Sequence, residues 1–106
     1  ISIAMAIEIF NEFRQYTAST TNQVFPNANS IIFYNQGDGA NPATGKSVTI
    51  NDGIVIPPGG SLAISNEPGM VDVTNYKFTF SGSGTANLQL VIRIIKSQVD
   101  AQFITK

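Results

Sequence analysis

Thr74-Asn75-Tyr76-Lys77-Phe78-Thr79-Phe80 carries rings at 76, 78 and 80, with Lys77 and Thr79 between them. A period of two puts all three rings on one face of a strand. Outward from this run, Val73 leads in, and Ser81-Gly82-Ser83-Gly84 ends it with small, turn-prone residues. The next run, 86–96, alternates again. Leu88, Leu90, Ile92 and Ile94 share one face; Gln89, Val91, Arg93 and Ile95 share the other. Two β-patterned runs joined by a Gly/Ser loop predict a hairpin, and the rest of the chain is ordered around it.

Upstream, short strands follow one another with punctuation between them. Pro26-Asn27-Ala28-Asn29 is a turn signal, followed by the strand Ser30-Ile31-Ile32-Phe33-Tyr34-Asn35. A glycine-rich loop over 36–45 leads to Ser47-Val48-Thr49-Ile50. Asn51-Asp52-Gly53 predicts a tight turn into Ile54-Val55-Ile56, with glycine expected to supply the positive φ. Pro57-Pro58-Gly59-Gly60 stops that strand, because proline cannot donate to a ladder. Ser61-Leu62-Ala63-Ile64-Ser65 is the next strand, Asn66-Glu67-Pro68-Gly69 the next turn, and 99–104 supplies a last short strand.

Residues 1–24 carry two patterns. Ile3, Met5, Ile7 and Ile9 alternate as in a strand, whereas Ile3, Ile7, Phe10 and the set Ile9, Phe13 and Tyr16 also suit a helix, with Glu8, Glu12 and Arg14 spread around it. The reading taken is a strand over about 3–10 with a helical turn allowed after it, forming either a core strand or an arm on a neighbour. Thr17 to Asn22 reads as loop or weak edge strand. Turn signals recur about every ten residues, which predicts an all-β chain: one antiparallel β-sandwich of jelly-roll type over 1–106, with seven or eight strands.

Composition narrows the function classes. The chain has 106 residues, enough for one domain, and 42% of them are hydrophobic. Charged residues are 12%, about half the usual quarter. Asn, Gln, Ser and Thr must therefore coat the surface, and a weak field tolerates close packing against other protein. Net charge is −1, with no basic stripe to neutralise phosphates, so no nucleic-acid partner is expected. Without Cys or His, disulfides and Cys/His zinc sites are excluded. No apolar run reaches the length of a membrane span, and no signal peptide is expected.

Each candidate site has a plainer explanation beside it. Ala40-Asn41-Pro42-Ala43-Thr44-Gly45-Lys46-Ser47 fits a relaxed phosphate-loop pattern, but Ala40 replaces the first glycine and strand sequence follows Ser47. Asn35, Asp38 and Asn41, with Asp52 and Asp72, are oxygen ligands of the kind calcium takes, yet the EF-hand spacing is missing and turns use the same residues. Glu67 with Asp72, or Glu8 with Glu12, are conceivable acid pairs; nothing sets them across a cleft. Nucleophilic catalysis lacks a His or Cys. No enzyme activity, catalytic residue, metal or cofactor is expected. Tyr16, Tyr34 and Tyr76 with Phe25 and Phe33 offer stacking faces for sugars, so a carbohydrate-binding β-sandwich module used in adhesion is the alternative.

Over 48–94 the chain resembles small β-sandwich structural proteins of bacteriophage virions. The residues are Pro57-Pro58-Gly59-Gly60-Ser61-Leu62 and Asp72-Val73-Thr74-Asn75-Tyr76-Lys77-Phe78-Thr79-Phe80, which match a Pro-Pro-Gly-Ser-Leu turn and an Asp-x-Thr-x-Tyr-x-φ-x-Phe strand. The resemblance implies a structural component of a virion: a minor capsid, vertex or penton, decoration or tail-associated protein, with no catalytic residues to carry over. Its partners would be itself, in a closed ring of about three or five copies, or another shell protein. Protein contact is expected at Ile3, Met5, Ile7, Ile9, Phe10 and Phe13, the apolar residues a lone domain has least need to bury.

Overall fold

Alternating side chains become pleated strand along most of residues 7–17 and 22–97, the part of the chain that this computed structural model describes. The strands are β1 (Ile7–Tyr16), β2 (Asn22–Val24), β3 (Ser30–Asn35), β4 (Ser47–Ile50), β5 (Ile54–Ile56), β6 (Ser61–Ser65), β7 (Tyr76–Ser81) and β8 (Leu88–Ser97). β3, β4, β5 and β6 have the bounds that alternation and turn residues predict. Two antiparallel sheets result, in the orders β1-β8-β3-β6 and β2-β7-β4-β5.

The pairing is nested. β1 pairs with β8, β2 with β7, β3 with β6, and β4 with β5. β8 also pairs with β3, and β7 with β4, which completes each sheet. Among the described strands, only β4 and β5 are neighbours both in sequence and in a sheet.

The expected hairpin between the 73–80 and 86–96 runs is therefore corrected: β7 and β8 lie in different sheets. Tyr76, Phe78 and Phe80 on β7 and Leu88, Leu90 and Ile92 on β8 are all buried in one cluster. They face one another across the interior, whereas a hairpin would lay both apolar faces side by side on one sheet. A period of two reports which face is buried and not which sheet holds the strand. Residues 82–87 cross between the layers, held where Lys46 N donates to Thr85 O (2.9 Å) and Gln36 N to Asn87 O (2.9 Å).

The helical turn allowed after residue 10 is also corrected. β1 runs unbroken to Tyr16, in register with β8 from Ile7↔Ser97 to Tyr16↔Leu88. A ten-residue partner decides between two local patterns that score alike. Ile3 and Met5, and the strand expected over 99–104, lie outside the described residues.

Rings fasten the layers. Tyr16 meets Phe78 edge-on at 4.9 Å, and Phe33 meets Tyr76 at 5.6 Å, each pair joining one sheet to the other. Asn35, only 1% exposed, does the same with hydrogen bonds. Its Nδ2 donates to Lys46 O and Ile56 O, both at 2.9 Å, and its Oδ1 accepts from Gly37 N.

Candidate interaction surface

The loops carry oxygen and nitrogen atoms that are already committed. Asp38 accepts from Ala40 N (3.0 Å), Thr44 N (3.1 Å) and the Thr44 hydroxyl. The Thr44 hydroxyl first, then the two amides, hold its carboxyl below the usual carboxylate range. With Asn35 turned inward, the two residues that head the expected calcium cluster both serve backbone groups. Among the described residues, no three of His, Cys, Asp and Glu come together as a metal site.

The phosphate-loop match forms no cradle. Ser47 opens strand β4 rather than a helix, Thr44 N is held by Asp38, and Lys46 Nζ donates to Gly82 O (2.8 Å). The acid pairs serve other partners too. Glu12 pairs with Arg14 at 2.7 Å, and Asp72 accepts from Thr74 N (2.9 Å) and the Tyr76 hydroxyl.

The ring platform expected for sugars is dispersed. Tyr76 and Phe33 are core residues, and Tyr16 packs against Phe78. Tyr34 and Phe25 are exposed, but Tyr34 stands on β3 and Phe25 follows β2 in the other sheet. Two shallow depressions, of about 210 and 280 Å³, lie on the outer face of the first sheet. Both fall below the roughly 300–1,000 Å³ of small-molecule pockets.

What the described surface does offer is apolar side chains. Among the described residues β1 is an edge strand, so one row of its backbone N–H and C=O groups faces away from β8. Phe13 is 75% exposed and Ile9 55%. They stand on the outer face, because Tyr16, of opposite parity, packs inward. Phe10 is also exposed although its face is the inner one. The ladder between β3 and β8 ends at Ser30↔Arg93, so Phe10, opposite Ile94, lies past the end of β3. Of the expected contact residues, Ile9, Phe10 and Phe13 are thus exposed, and Ile7 is placed in β1. Across the outer face, register sets Phe13 beside Val91, Val91 beside Ile32, and Ile32 beside Ala63, an apolar row spanning all four strands.

A second apolar surface went unnoticed in the sequence. Met70, Val71 and Val73 are exposed, Val73 to 72%, on the loop joining β6 to β7. Asn29 Nδ2 donates to Glu67 O (2.7 Å) and Met70 O (3.1 Å), Asn66 Nδ2 to Asn29 O (3.0 Å), and Asp72 N to Ala28 O (2.8 Å). The loop is pinned at its base while its apolar residues face out. The signal was available for Met70 and Val71, apolar residues beside a Pro-Gly turn that no strand period claims; Val73 was assigned to the 73–80 strand run, whereas β7 begins at Tyr76.

These features define an all-β protein of two antiparallel four-stranded sheets with an exposed apolar edge. Its described part has no helix long and apolar enough to cross a membrane. Set against family models, curated proteins and solved structures, the chain matches none.

Proposed function

We propose that the chain is a non-enzymatic structural protein of a virion, a jelly roll that acts by packing against copies of itself or another shell protein. Support for the jelly roll comes from the nested pairing, first strand with eighth through fourth with fifth, which is a long hairpin folded over into two sheets. That architecture serves viral capsid proteins and lectins alike, so fold alone does not choose between them. The observation that carries the choice is β1: ten residues of edge strand with Ile9 and Phe13 turned outward. Glu8, Glu12 and Arg14 put charge along this edge, a device that guards against indiscriminate pairing, so the support is the large exposed side chains of Ile9 and Phe13 on the same strand. The sugar-binding alternative has no comparable support, since its tyrosines lie apart.

Light scattering tests the reading. The full chain should form a closed oligomer, and the chain lacking residues 1–15 should fall to a smaller species. A full chain that stays monomeric, or an assembly whose size survives the deletion, overturns it. On a glycan array no binding is expected; hits that disappear with Tyr34→Ala would reinstate the adhesion module.

A further inference from the structure

We propose that β1 pairs with the β1 of a second copy, antiparallel across a two-fold axis through Phe13, merging the two β1-β8-β3-β6 sheets into one of eight strands. This rests on the assembly reading above and names the partner of the strand identified there. The same contact on both copies is the form a two-fold interface takes.

Backbone geometry restricts the register first. Only alternate residues of an edge strand aim their N–H and C=O away from the sheet. Two copies of one strand can therefore bond only when residues of equal parity face each other, which puts a residue on the axis. Side chains then choose which residue. An axis at Glu12 sets two carboxylates directly opposite, and an axis at Arg14 sets two guanidinium groups opposite; like charges so placed are destabilising. An axis at Asn11 sets Glu12 opposite Phe10, a charge against a ring.

The axis at Phe13 avoids all three. Glu12 then faces the second copy's Arg14, and Arg14 faces the second copy's Glu12. Asn11 faces Gln15, Phe10 faces Tyr16, and the two Phe13 rings, each 75% exposed in one copy, meet on the outer face. Glu12 and Arg14 lie on one face and pair with each other within the chain at 2.7 Å, each about 39% exposed, so in the proposed dimer each exchanges that partner for the one across the axis. Of these four registers, the one at Phe13 alone makes charge, amide and aromatic positions complementary. Closed rings would form through other surfaces, with this pair linking one ring to the next.

Single cysteines test the register, because the chain has none of its own. Under mild oxidation Phe13→Cys should give a disulfide-linked dimer on a non-reducing gel, since directly opposite Cα atoms lie about 4.5–5.5 Å apart, within disulfide reach. Gln15→Cys should not, its counterpart being four residues away along the strand, roughly 13 Å. Charge reversal is the second arm, read by sedimentation. Glu12→Arg and Arg14→Glu should each weaken association about tenfold. An equimolar mixture of the two, and the double variant, should regain it. Equal cross-linking at positions 13 and 15, or a mixture no tighter than its components, overturns the register. If the full chain is still oligomeric in that case, the assembly reading stands on a different contact; a full chain monomeric throughout sinks both.

Discussion

Asn35 is where a single side chain decides most. At the end of β3 it resembles a loop residue or an ion ligand, because asparagine beside glycine is what turns and calcium loops use. In the fold it is buried and ties β3 to the start of β4 and the end of β5, neighbouring strands of the opposite sheet. Asn35→Leu keeps the volume but leaves Lys46 O and Ile56 O without that donor, at a cost of about 3 kcal/mol in urea unfolding. Asp72 and Tyr76 form the second such lock. Partial burial pushes the Asp72 carboxyl up, but hydrogen bonds from Thr74 and Tyr76 together outweigh it and hold it below the usual carboxylate range. Burial, then the bond to Asp72, pushes the Tyr76 hydroxyl up to about 12. A lowered acid stabilises the fold above its unfolded pKa, near 3.9, and that contribution fades as pH falls below it. A raised phenol stabilises the fold below its unfolded pKa, near 10, and that contribution fades between about 10 and 12. Tyr76→Phe should therefore lose about 1 kcal/mol between pH 5 and 9. Above pH 10 the gap to wild type should close; a constant gap across the titration would show that the hydroxyl bond is not the source.

Elements were more legible than their arrangement. β3 to β6 follow from alternation bounded by Gly, Pro and Asn, because each strand's period and stops are local. The β7–β8 relation was not legible, since identical alternation serves paired strands and strands opposed across a core. Among candidate contact residues, Ile9 and Phe13 were found because β1 carries more apolar residues than one face can bury. Met70 and Val71 were missed because a loop has no period to betray them, and Val73 because it was read into the strand run that in the fold begins only at Tyr76. The β4–β5 hairpin shows a correct element reached with the wrong residue. Asn51 (φ 50°) and Asp52 (φ 54°) take the left-handed conformation, and Gly53 does not. Gly53 N closes the turn on Ile50 O at 3.0 Å, while Asn51 Oδ1 accepts from Lys77 N at 2.9 Å and ties the turn to β7. A Cβ on Gly53 would come no nearer than 3.7 Å to Asn51 O. Gly53→Ala should thus change stability by less than about 0.5 kcal/mol. Asn51→Ala should cost about 1–2 kcal/mol, combining a left-handed alanine with the loss of the bond to Lys77. Thermal melts of the two variants settle the order, and a costlier Gly53→Ala would return the strained position to the glycine.

The whole molecule closes by joining its most distant parts. β1 and β8 pair although Tyr16 and Leu88, like Ile7 and Ser97, are separated by most of the chain. Among the residues whose side chains are described, β1 gives the shared core Tyr16 as a packed neighbour, whereas β3, β4, β7 and β8 supply most of its buried residues. Protection against hydrogen exchange should follow that division. Amides of β3, β7 and the 88–93 part of β8 should open only with global unfolding, and those of β1 by local detachment. Within β1, amides facing β8 are bonded in a single copy, and in the proposed pair the alternate, outward set is covered by the second chain. Exchange measured on dilute and concentrated protein therefore separates the two sets. The outward amides of 10–16 should slow as concentration rises, while those facing β8 change less and β4 not at all. If oligomer forms and both β1 sets keep their dilute rates, the edge is uncovered in the assembly. The pinned apolar loop at Met70, Val71 and Val73 would then be the surface that holds the copies together.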